Sequence, residues 1–203
     1  MIEVEIKVRI TDPDLIWKKL KENQGSYKFS MIHEDIYYNM PIGLRDFKQT
    51  DEALRLRKSV RFNKNQKLET QKTENFLTYK GKKIDTISKT REEIDISIEN
   101  IEEMGKLLKL LGFQEVLTVI KERELFALEF KNNKIEALID YIPFLNQHFI
   151  ELEYLTETEA EIERARNFLF DFLGLLGIQR TDSITKSYLE LILEKKEMEK
   201  KLR

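Results

Sequence analysis

The sequence contains no cysteine, only two histidines, and few of the residues that mark turns: seven glycines and three prolines among 203 residues. The absence of cysteine excludes disulfide bonds, thiolate catalysis and cysteine-ligated zinc sites, and is typical of a reducing compartment. Two histidines, His33 and His148, are too few for a histidine-rich metal site. Any metal site in this chain is therefore expected to use carboxylate oxygens.

The charge is high but balanced, with 35 basic and 37 acidic residues and a formal net charge of −2. This balance gives no reason to expect a nucleic acid or an anionic membrane as a partner. The most apolar window, residues 168–178, contains Asp171 and is too short to span a bilayer. Because no charged-then-apolar leader opens the chain, we expect a soluble cytoplasmic protein without a signal peptide.

The amino-terminal stretch from Ile2 to Ile10 alternates strictly between apolar and charged residues. This period of two predicts a β-strand with one apolar and one charged face. Carboxylates two positions apart on such a face can reach one hard cation, and bases beyond them can grip an anion. An exposed edge strand whose charges resist aggregation is the alternative interpretation. The charged face carries Glu3, Glu5, Lys7 and Arg9.

Similar alternation recurs along the chain in segments bounded by turn residues. It predicts further strands at 33–39, 53–60, 76–80, 89–98, 115–131, 134–142 and 148–155. Residues 44–52 and the polar stretch 63–75 are expected to be loops, and Asn132 and Asn133 are expected to form a hairpin turn. The charged faces together hold eight acids, which are Glu3, Glu5, Glu93, Asp95, Glu136, Asp140, Glu151 and Glu153. They also hold eight bases, which are Lys7, Arg9, Arg55, Arg57, Lys80, Arg91, Lys121 and Arg123.

Apolar residues at the 3.6-residue period predict amphipathic helices around these strands. The helices are expected at 13–22, 101–111, 157–176 and 182–200. The last one is predicted to begin at an Asp182 or Ser183 cap. No stretch has the composition of an interdomain linker, so we predict a single domain over residues 1–193. Residues 194–203 are expected to form a charged helix end or tail.

A sheet of about eight strands leaves its charged face either open to water or rolled inward, because the helices can cover only the apolar face. Closing the sheet removes its edges and encloses a polar interior. We therefore predict an α+β fold, a closed eight-stranded antiparallel β-barrel, or tunnel, with a polar lumen and helices packed on the outside. Acids and bases in such a lumen could neutralise one another without any ligand. The E-x-E, R-x-R and K-x-R pairs agree better with a divalent cation and a linear polyphosphate that share the lumen.

In this order the motifs resemble those of the CYTH superfamily, also called triphosphate tunnel metalloenzymes. A single E-x-E-x-K motif is weak, whereas nine motifs in sequence from residue 3 to about 193 are specific. The matching segments are Glu3-x-Glu5-x-Lys7, Asp35-x-Tyr37, Leu54-Arg55-Leu56-Arg57, Leu77-Thr78-Tyr79-Lys80-Gly81, Arg91-x-Glu93, Lys121-x-Arg123, Leu138-Ile139-Asp140, Glu151-x-Glu153 and Ser187-Tyr188-Leu189-Glu190-Leu191.

The resemblance implies a tunnel that depends on Mg²⁺ or Mn²⁺ and acts on a triphosphate group. It implies metal binding by Glu3, Glu5, Asp140, Glu151 and Glu153. It implies phosphate binding by Lys7, Arg55, Arg57, Lys80, Arg91, Lys121 and Arg123. The candidate catalytic residues are Lys7, Glu5 and Glu153. Arg91 and Glu93 also fit a supporting ion pair, while Arg9 and Glu136 lie outside the strict motifs and are expected to support the ligands.

The superfamily includes inorganic, thiamine and RNA triphosphatases and class IV adenylyl cyclases, so the resemblance leaves the reaction open. We expect metal-dependent hydrolysis of a triphosphate group, with tripolyphosphate, ATP or thiamine triphosphate as candidate substrates. One alternative is a class IV adenylyl cyclase that converts ATP to cyclic AMP and pyrophosphate. Another is a non-catalytic protein that binds polyphosphate or nucleotide. Either a monomer or a homodimer is compatible with the sequence.

Overall fold

The fold is that of a computed structural model, which describes residues 2–64, 71–84 and 90–202. The strands are β1 (Ile2–Ile10), β2 (Ser26–Asn39), β3 (Ala53–Phe62), β4 (Lys72–Lys80), β5 (Glu93–Ile98), β6 (Gln114–Phe130), β7 (Asn133–Ile142) and β8 (Gln147–Thr156). The helices are α1 (Pro13–Glu22), α2 (Phe47–Thr50), α3 (Ile101–Leu110), α4 (Ile162–Leu175) and α5 (Tyr188–Lys201). None of the helices in these ranges is long and apolar enough to cross a membrane.

The eight strands form one antiparallel sheet in the order β1-β8-β7-β6-β2-β3-β4-β5. This sheet is strongly curled into a half-barrel. The first strand pairs with the last one, from Ile2 opposite Thr156 to Ile10 opposite His148. At the other edge of the sheet, Arg91 lies just before β5 and forms an isolated bridge with Glu3 of β1. The predicted α+β fold with eight antiparallel strands is confirmed.

The strands separate apolar from charged side chains between the two faces of the sheet, as the alternation predicted. On β1, Val4, Ile6 and Val8 are at most 2% exposed. On the opposite face of the same strand, Glu5 is 7% exposed and Lys7 is fully buried. Both faces of this strand are therefore shielded from water. The charged face is the concave one and is called the inner face below.

The outer face carries the main hydrophobic core. Here α1 and α4 cover β1, β6, β7 and β8, and Leu20, Leu169 and Leu173 are fully buried. A smaller core forms where α3 packs on β2, β3 and β4 around Leu56 and Leu108. Since burial of each aliphatic side chain contributes roughly 1.5–3 kcal/mol, this outer layer stabilises the curled sheet.

The helix α5 packs at one end of the inner face instead of joining the outer layer. Tyr188, Leu191 and Ile192 of this helix form an apolar cluster with Phe149 of β8 and Val119 of β6. The alternation places Phe149 and Val119 on the same face as the charged residues. The carboxy-terminal helix therefore covers part of the charged face with an apolar layer.

This last helix begins at residue 188 rather than near 182, where the sequence predicted its start. The segment before it is bonded to β1, because the Ile184 amide donates to the Lys7 carbonyl at 2.8 Å. Ser187 caps the helix by accepting from the Glu190 amide, while the Glu190 carboxylate accepts from the Ser187 amide. Because Ile184 is hydrogen-bonded to β1, the helix does not start at the predicted Asp182 or Ser183 cap and starts after Ser187 instead.

Several further boundaries differ from the predictions. The largest difference among the strands is in β2, which begins at Ser26 and not at residue 33, while β5 begins at Glu93 and not at residue 89. Residues 44–52, expected to be a loop, contain α2, and residues 157–176 begin with a 3₁₀ turn at Glu159–Glu161 before α4. The strand expected at 76–80 begins earlier, at Lys72, within a stretch that read as a polar loop. Residues 65–70 of that loop and residue 89 of the predicted strand 89–98 lie outside the described residues. At the carboxy terminus α5 extends to Lys201, into the predicted charged end.

Candidate functional site

Three inner-face carboxylates from the paired strands β1 and β8 meet near one edge of the sheet. They belong to Glu3, Glu5 and Glu153, and one oxygen from each lies within 4.8 Å of the other two. Glu5 and Glu153 occupy directly paired positions of the two strands. Such an oxygen-only group matches the ligands that Mg²⁺ and Mn²⁺ prefer. These three residues are called the acidic triad below.

Two carboxyl groups of the acidic triad, those of Glu3 and Glu153, have raised pKa values and hold their protons more tightly than isolated carboxyl groups do. Burial, and then the negative charges of Glu5 and Glu93, raise the pKa of Glu3 to about 7. Burial, and then the negative charge of Glu3, raise the pKa of Glu153 well above its usual value. Ionising the whole triad is therefore unfavourable unless a nearby cation compensates the charge. The donor set fits a hard divalent cation on this ground.

The other two predicted metal ligands, Asp140 and Glu151, lie outside the triad and form ion pairs with basic side chains. Arg123 donates to both Asp140 oxygens, at 2.6 and 2.7 Å, and also to Glu151. Lys121 Nζ lies 3.6 Å from Asp140, and Lys7 Nζ lies 3.5 Å from Glu151. In this arrangement the two acids position the predicted phosphate-binding bases. To bind a metal ion, Asp140 or Glu151 would have to give up its contact with one of these basic side chains.

Lys7 is held in a defined position by the start of α5. Its Nζ donates to the Lys186 carbonyl at 2.8 Å and lies 3.9 Å from the centre of the Tyr188 ring. The Tyr188 hydroxyl in turn donates to Asp140 at 2.8 Å. The sequence places Tyr188 in a matching motif but predicts no role for it. Its contacts with Lys7 and Asp140 appear only because α5 meets β1 and β7 in the folded chain.

A second group of bases lies on β3, where Asp35 of β2 organises it. Arg57 donates to both Asp35 oxygens at 2.6 and 2.7 Å, and Arg55 Nη1 lies 3.7 Å from the same carboxylate. Burial alone would raise the pKa of Asp35, but the guanidinium groups of Arg57 and Arg55 hold it well below its usual value. Asp35 also lies in a matching motif without a predicted role. The structure identifies it as the residue that aligns two predicted phosphate ligands.

One donor of this second group has no partner within the described residues. The Arg55 Nη2 group donates to the Thr78 hydroxyl at 3.0 Å, whereas the buried Arg55 Nε makes no hydrogen bond there. A buried donor without an acceptor costs about 1–3 kcal/mol. An acceptor supplied by an anion would remove this cost.

Positive charge is crowded on the inner face, as two lysines show. Burial, and then the positive charge of Arg55, lower the pKa of Lys80, although Lys80 forms an ion pair with Glu93. Burial, and then the positive charge of Arg123, lower the pKa of Lys121 to about 8. These bases are therefore close enough to repel one another.

The charged-face residues Arg91, Glu93 and Arg9 have fewer contacts with the other predicted site residues. The Arg91 side chain donates to the Gly81 carbonyl at 3.2 Å and to the Asp51 carbonyl at 3.4 Å, so it braces the β4–β5 connection. Glu93 pairs with Lys80, and no Arg91–Glu93 ion pair is found in the described part of the chain. Arg9 is exposed on β1.

Space is available directly beside the acidic triad. A cavity of about 580 Å³ is lined by Glu3 and Glu153 together with Glu136, Ala127 and Leu155. All five residues belong to strands, and Glu136 lies opposite Glu153 in the β7–β8 pairing. The cavity also contacts Leu128 and Ile135 of the outer core, so it lies at the end of the strands beside the triad and reaches both faces of the sheet.

The sequence matches the CYTH domain over residues 1–188. A protein from Methanocaldococcus jannaschii named "Putative adenylate cyclase" is 41% identical over 192 residues, which cover 94% of this chain and 98% of that protein. A solved structure from Pyrococcus horikoshii is 40% identical, with a TM-score of 0.79 over 95% of this chain and 99% of the other. A Hippeastrum protein named "Putative adenylyl cyclase", described as having a dominant triphosphatase activity, has a TM-score of 0.63. At 17% identity over 95% of this chain and 96% of the other, it shows likeness of fold.

The family match spans most of the chain, and the Methanocaldococcus relative aligns over nearly its whole length. Both agree with the order of motifs in the sequence and with the curled antiparallel sheet. The chain belongs to the CYTH domain family.

Proposed function

We propose that the protein is a divalent-metal-dependent hydrolase that acts on the triphosphate group of inorganic or organic triphosphates inside a closed, charged β-tunnel. The observation that carries this proposal is the separation of like charges on the inner face. Carboxylates crowd together in the acidic triad, and bases crowd together on β3, β4 and β6.

If the charged side chains of the lumen only neutralised one another, each acid would lie beside a base. The Asp35–Arg57 and Asp140–Arg123 pairs follow that rule, and Arg123 also lies 3.6 Å from Glu153. The pKa values of Glu3 and Glu153 are nevertheless raised, so the negative charge of the acidic triad is not fully compensated. A cation beside the triad and a polyanion among the bases would remove both repulsions together. The separation of charge therefore favours two ligands of opposite sign over a structural role.

The bridge between Glu3 and Arg91 supports closure of the tunnel, because it connects β1 with the chain just before β5. These strands form the two edges of the sheet. Closure would shield bound phosphates from water and strengthen their contacts with the bases.

The acidic triad would hold the divalent cation, which when bound would polarise phosphoryl oxygens and supply an activated water. Lys7, fixed by the Lys186 carbonyl and the Tyr188 ring, would bind a phosphoryl oxygen near the triad. Arg55 would use its Nε, which has no partner among the described residues, for another phosphate oxygen. Residues held before substrate arrives lose little entropy on binding, and this favours orientation for in-line attack.

A class IV adenylyl cyclase is the second candidate. The name of the Methanocaldococcus relative favours it, because that relative is 41% identical over nearly the whole chain. The Hippeastrum description favours hydrolysis. Both reactions would use the same triad and bases, so the reaction product distinguishes them.

The test is incubation of the purified protein with tripolyphosphate, ATP or thiamine triphosphate, with Mg²⁺ or Mn²⁺, followed by chromatographic identification of products. We expect phosphate release that EDTA stops and that Glu153→Gln reduces by at least about 100-fold. The matched variant Glu122→Gln changes an exposed outer-face acid of β6 and should retain full activity. Cyclic AMP with pyrophosphate would instead establish the cyclase. Metal-dependent binding without product from any triphosphate would refute both enzymes and leave a binding protein.

A further inference from the structure

His33 lies on the inner face of β2, among the bases but with no role in the proposed mechanism. In the strand pairing it lies between Lys121 of β6 and Ser59 of β3. Its side chain is buried, with 4% of the residue exposed, and Nδ1 has no hydrogen-bond partner within the described residues. Such an orphaned polar atom costs about 1–3 kcal/mol in the free protein. A ligand that supplies the missing partner would recover this cost.

The charges that face His33 come from three strands. Arg57 projects from β3, Lys121 and Arg123 project from β6, and Asp35 belongs to β2 itself. Burial, followed by the three positive charges, holds the pKa of His33 far below its usual value, and Asp35 opposes this effect only in part. The imidazole is therefore neutral in the free protein.

We propose that His33 is a further phosphate-binding residue, which takes up one proton when a triphosphate enters among Arg57, Lys121 and Arg123. The inference rests on the proposed function, in that it requires a polyphosphate on the inner face. The triphosphate brings several negative charges to a place where three positive charges now outweigh the single negative charge of Asp35. The proton comes from the solvent, and the imidazolium then donates a hydrogen bond to a phosphoryl oxygen.

The composition makes His33 easy to observe, because His148 is the only other histidine. Long-range ¹H–¹⁵N spectra of the His148→Gln protein would report the protonation of His33 alone. Spectra are recorded at pH 7.5 for the free protein, with tripolyphosphate in EDTA, and with the non-hydrolysable imido analogue of tripolyphosphate plus Mg²⁺. We expect neutral imidazole shifts in the free protein and imidazolium shifts in a complex.

Calorimetry provides a second measurement. Binding of the imido analogue is measured in two buffers of different ionisation enthalpy, so that proton uptake is obtained directly. The wild type and His148→Gln should take up about one proton more than His33→Gln does. His33→Gln should bind about tenfold more weakly than wild type at pH 6.5, the loss expected for one charge-assisted hydrogen bond, and nearly as tightly as wild type at pH 9.

The outcomes separate this inference from the proposed function. A His33 that stays neutral in the complex, or an equal proton uptake by His33→Gln, would overturn the inference even if the enzyme hydrolyses triphosphates. Proton uptake on binding without any product would refute the hydrolase and leave His33 as a phosphate ligand. Failure to bind either polyphosphate would overturn both. The spectra of the His148→Gln protein decide the matter even if His33→Gln does not fold.

Discussion

Glu5 and Glu153 face each other at directly paired positions of β1 and β8, where like charges destabilise a sheet by up to about 1 kcal/mol. The neighbouring pair on the same face, Lys7 opposite Glu151, carries opposite charges with Nζ 3.5 Å from the carboxylate. An unfavourable pair and a favourable pair therefore lie side by side. The unfavourable one coincides with the acidic triad, as expected if the proposed cation site reduces the stability of the metal-free protein.

Removing one charge from the triad should stabilise the metal-free protein. Glu153→Gln is expected to raise the free energy of unfolding in EDTA by about 1 kcal/mol. Burial and the charge of Glu3 disfavour an ionisable group at this position, and the raised pKa of Glu153 shows that they outweigh its contact with Arg123. The same variant should lose the stabilisation that millimolar Mg²⁺ or Mn²⁺ confers on the wild type. Thermal melts with and without metal test both effects. The exposed Glu122→Gln should behave as wild type in both conditions, and a Glu153→Gln protein that metal still stabilises fully would contradict the assigned site.

The stability of the metal-free protein should fall as the pH rises from about 4.5 to about 7. Glu3 has a pKa of about 7 in the folded protein against 4.5 as the unperturbed value, so the folded state binds more protons than the unfolded state in this window. A raised folded-state pKa of an acid makes stability decrease with rising pH. Melting temperatures in EDTA across this range test it, with Glu3→Gln as the comparison. The difference between the two curves should grow with pH, and a constant difference would exclude the raised pKa.

Asp35 should be essential for stability and not only for ligand binding. Asp35→Asn leaves the buried guanidinium groups of Arg55 and Arg57 without their counter-charge, a change that costs about 3–5 kcal/mol at neutral pH. Because its folded-state pKa is depressed, the stabilising contribution is present above pH about 4 and is lost as the pH falls below that. Urea unfolding at pH 7 and at pH 3 measures this. Glu34→Gln, at the exposed neighbouring position on the outer face, should cost less than about 0.5 kcal/mol.

Two substitutions of Tyr188 should separate the contribution of its ring from that of its hydroxyl group. Tyr188→Phe keeps the ring 3.9 Å from Lys7 Nζ but loses the hydrogen bond to Asp140, so it should cost about 1–3 kcal/mol of stability with little change in KM. Tyr188→Leu removes the ring as well, and kcat with tripolyphosphate should fall about tenfold or more because Lys7 is no longer held. Steady-state kinetics and urea unfolding of both variants test this. Equal kinetics in the two variants would exclude a positioning role for the ring.

Most of the strand architecture could be predicted from the sequence, because alternation is a local property of extended backbone. The hairpin between β6 and β7 is an example, since a turn was expected at Asn132 and Asn133. In the structure the residues with positive φ are Lys131 and Asn132, so the turn lies one residue earlier. By contrast, the start of α5 was predicted too early. Its position depends on a hydrogen bond from Ile184 to β1, at the opposite end of the chain.

The candidate site, too, was predicted from the sequence only in part. Alternation alone determined that Glu3, Glu5 and Lys7 share one face, and that the other charged strand positions form similar faces. Only the tertiary structure decided that Glu153 joins Glu3 and Glu5 while Asp140 contacts Arg123. The physical reason is that side-chain period is set within a strand, whereas contacts across the inner face depend on strand order, register and curl. Those properties come from pairing β1 with β8 and from packing α5 against the inner face, and no local pattern encodes them.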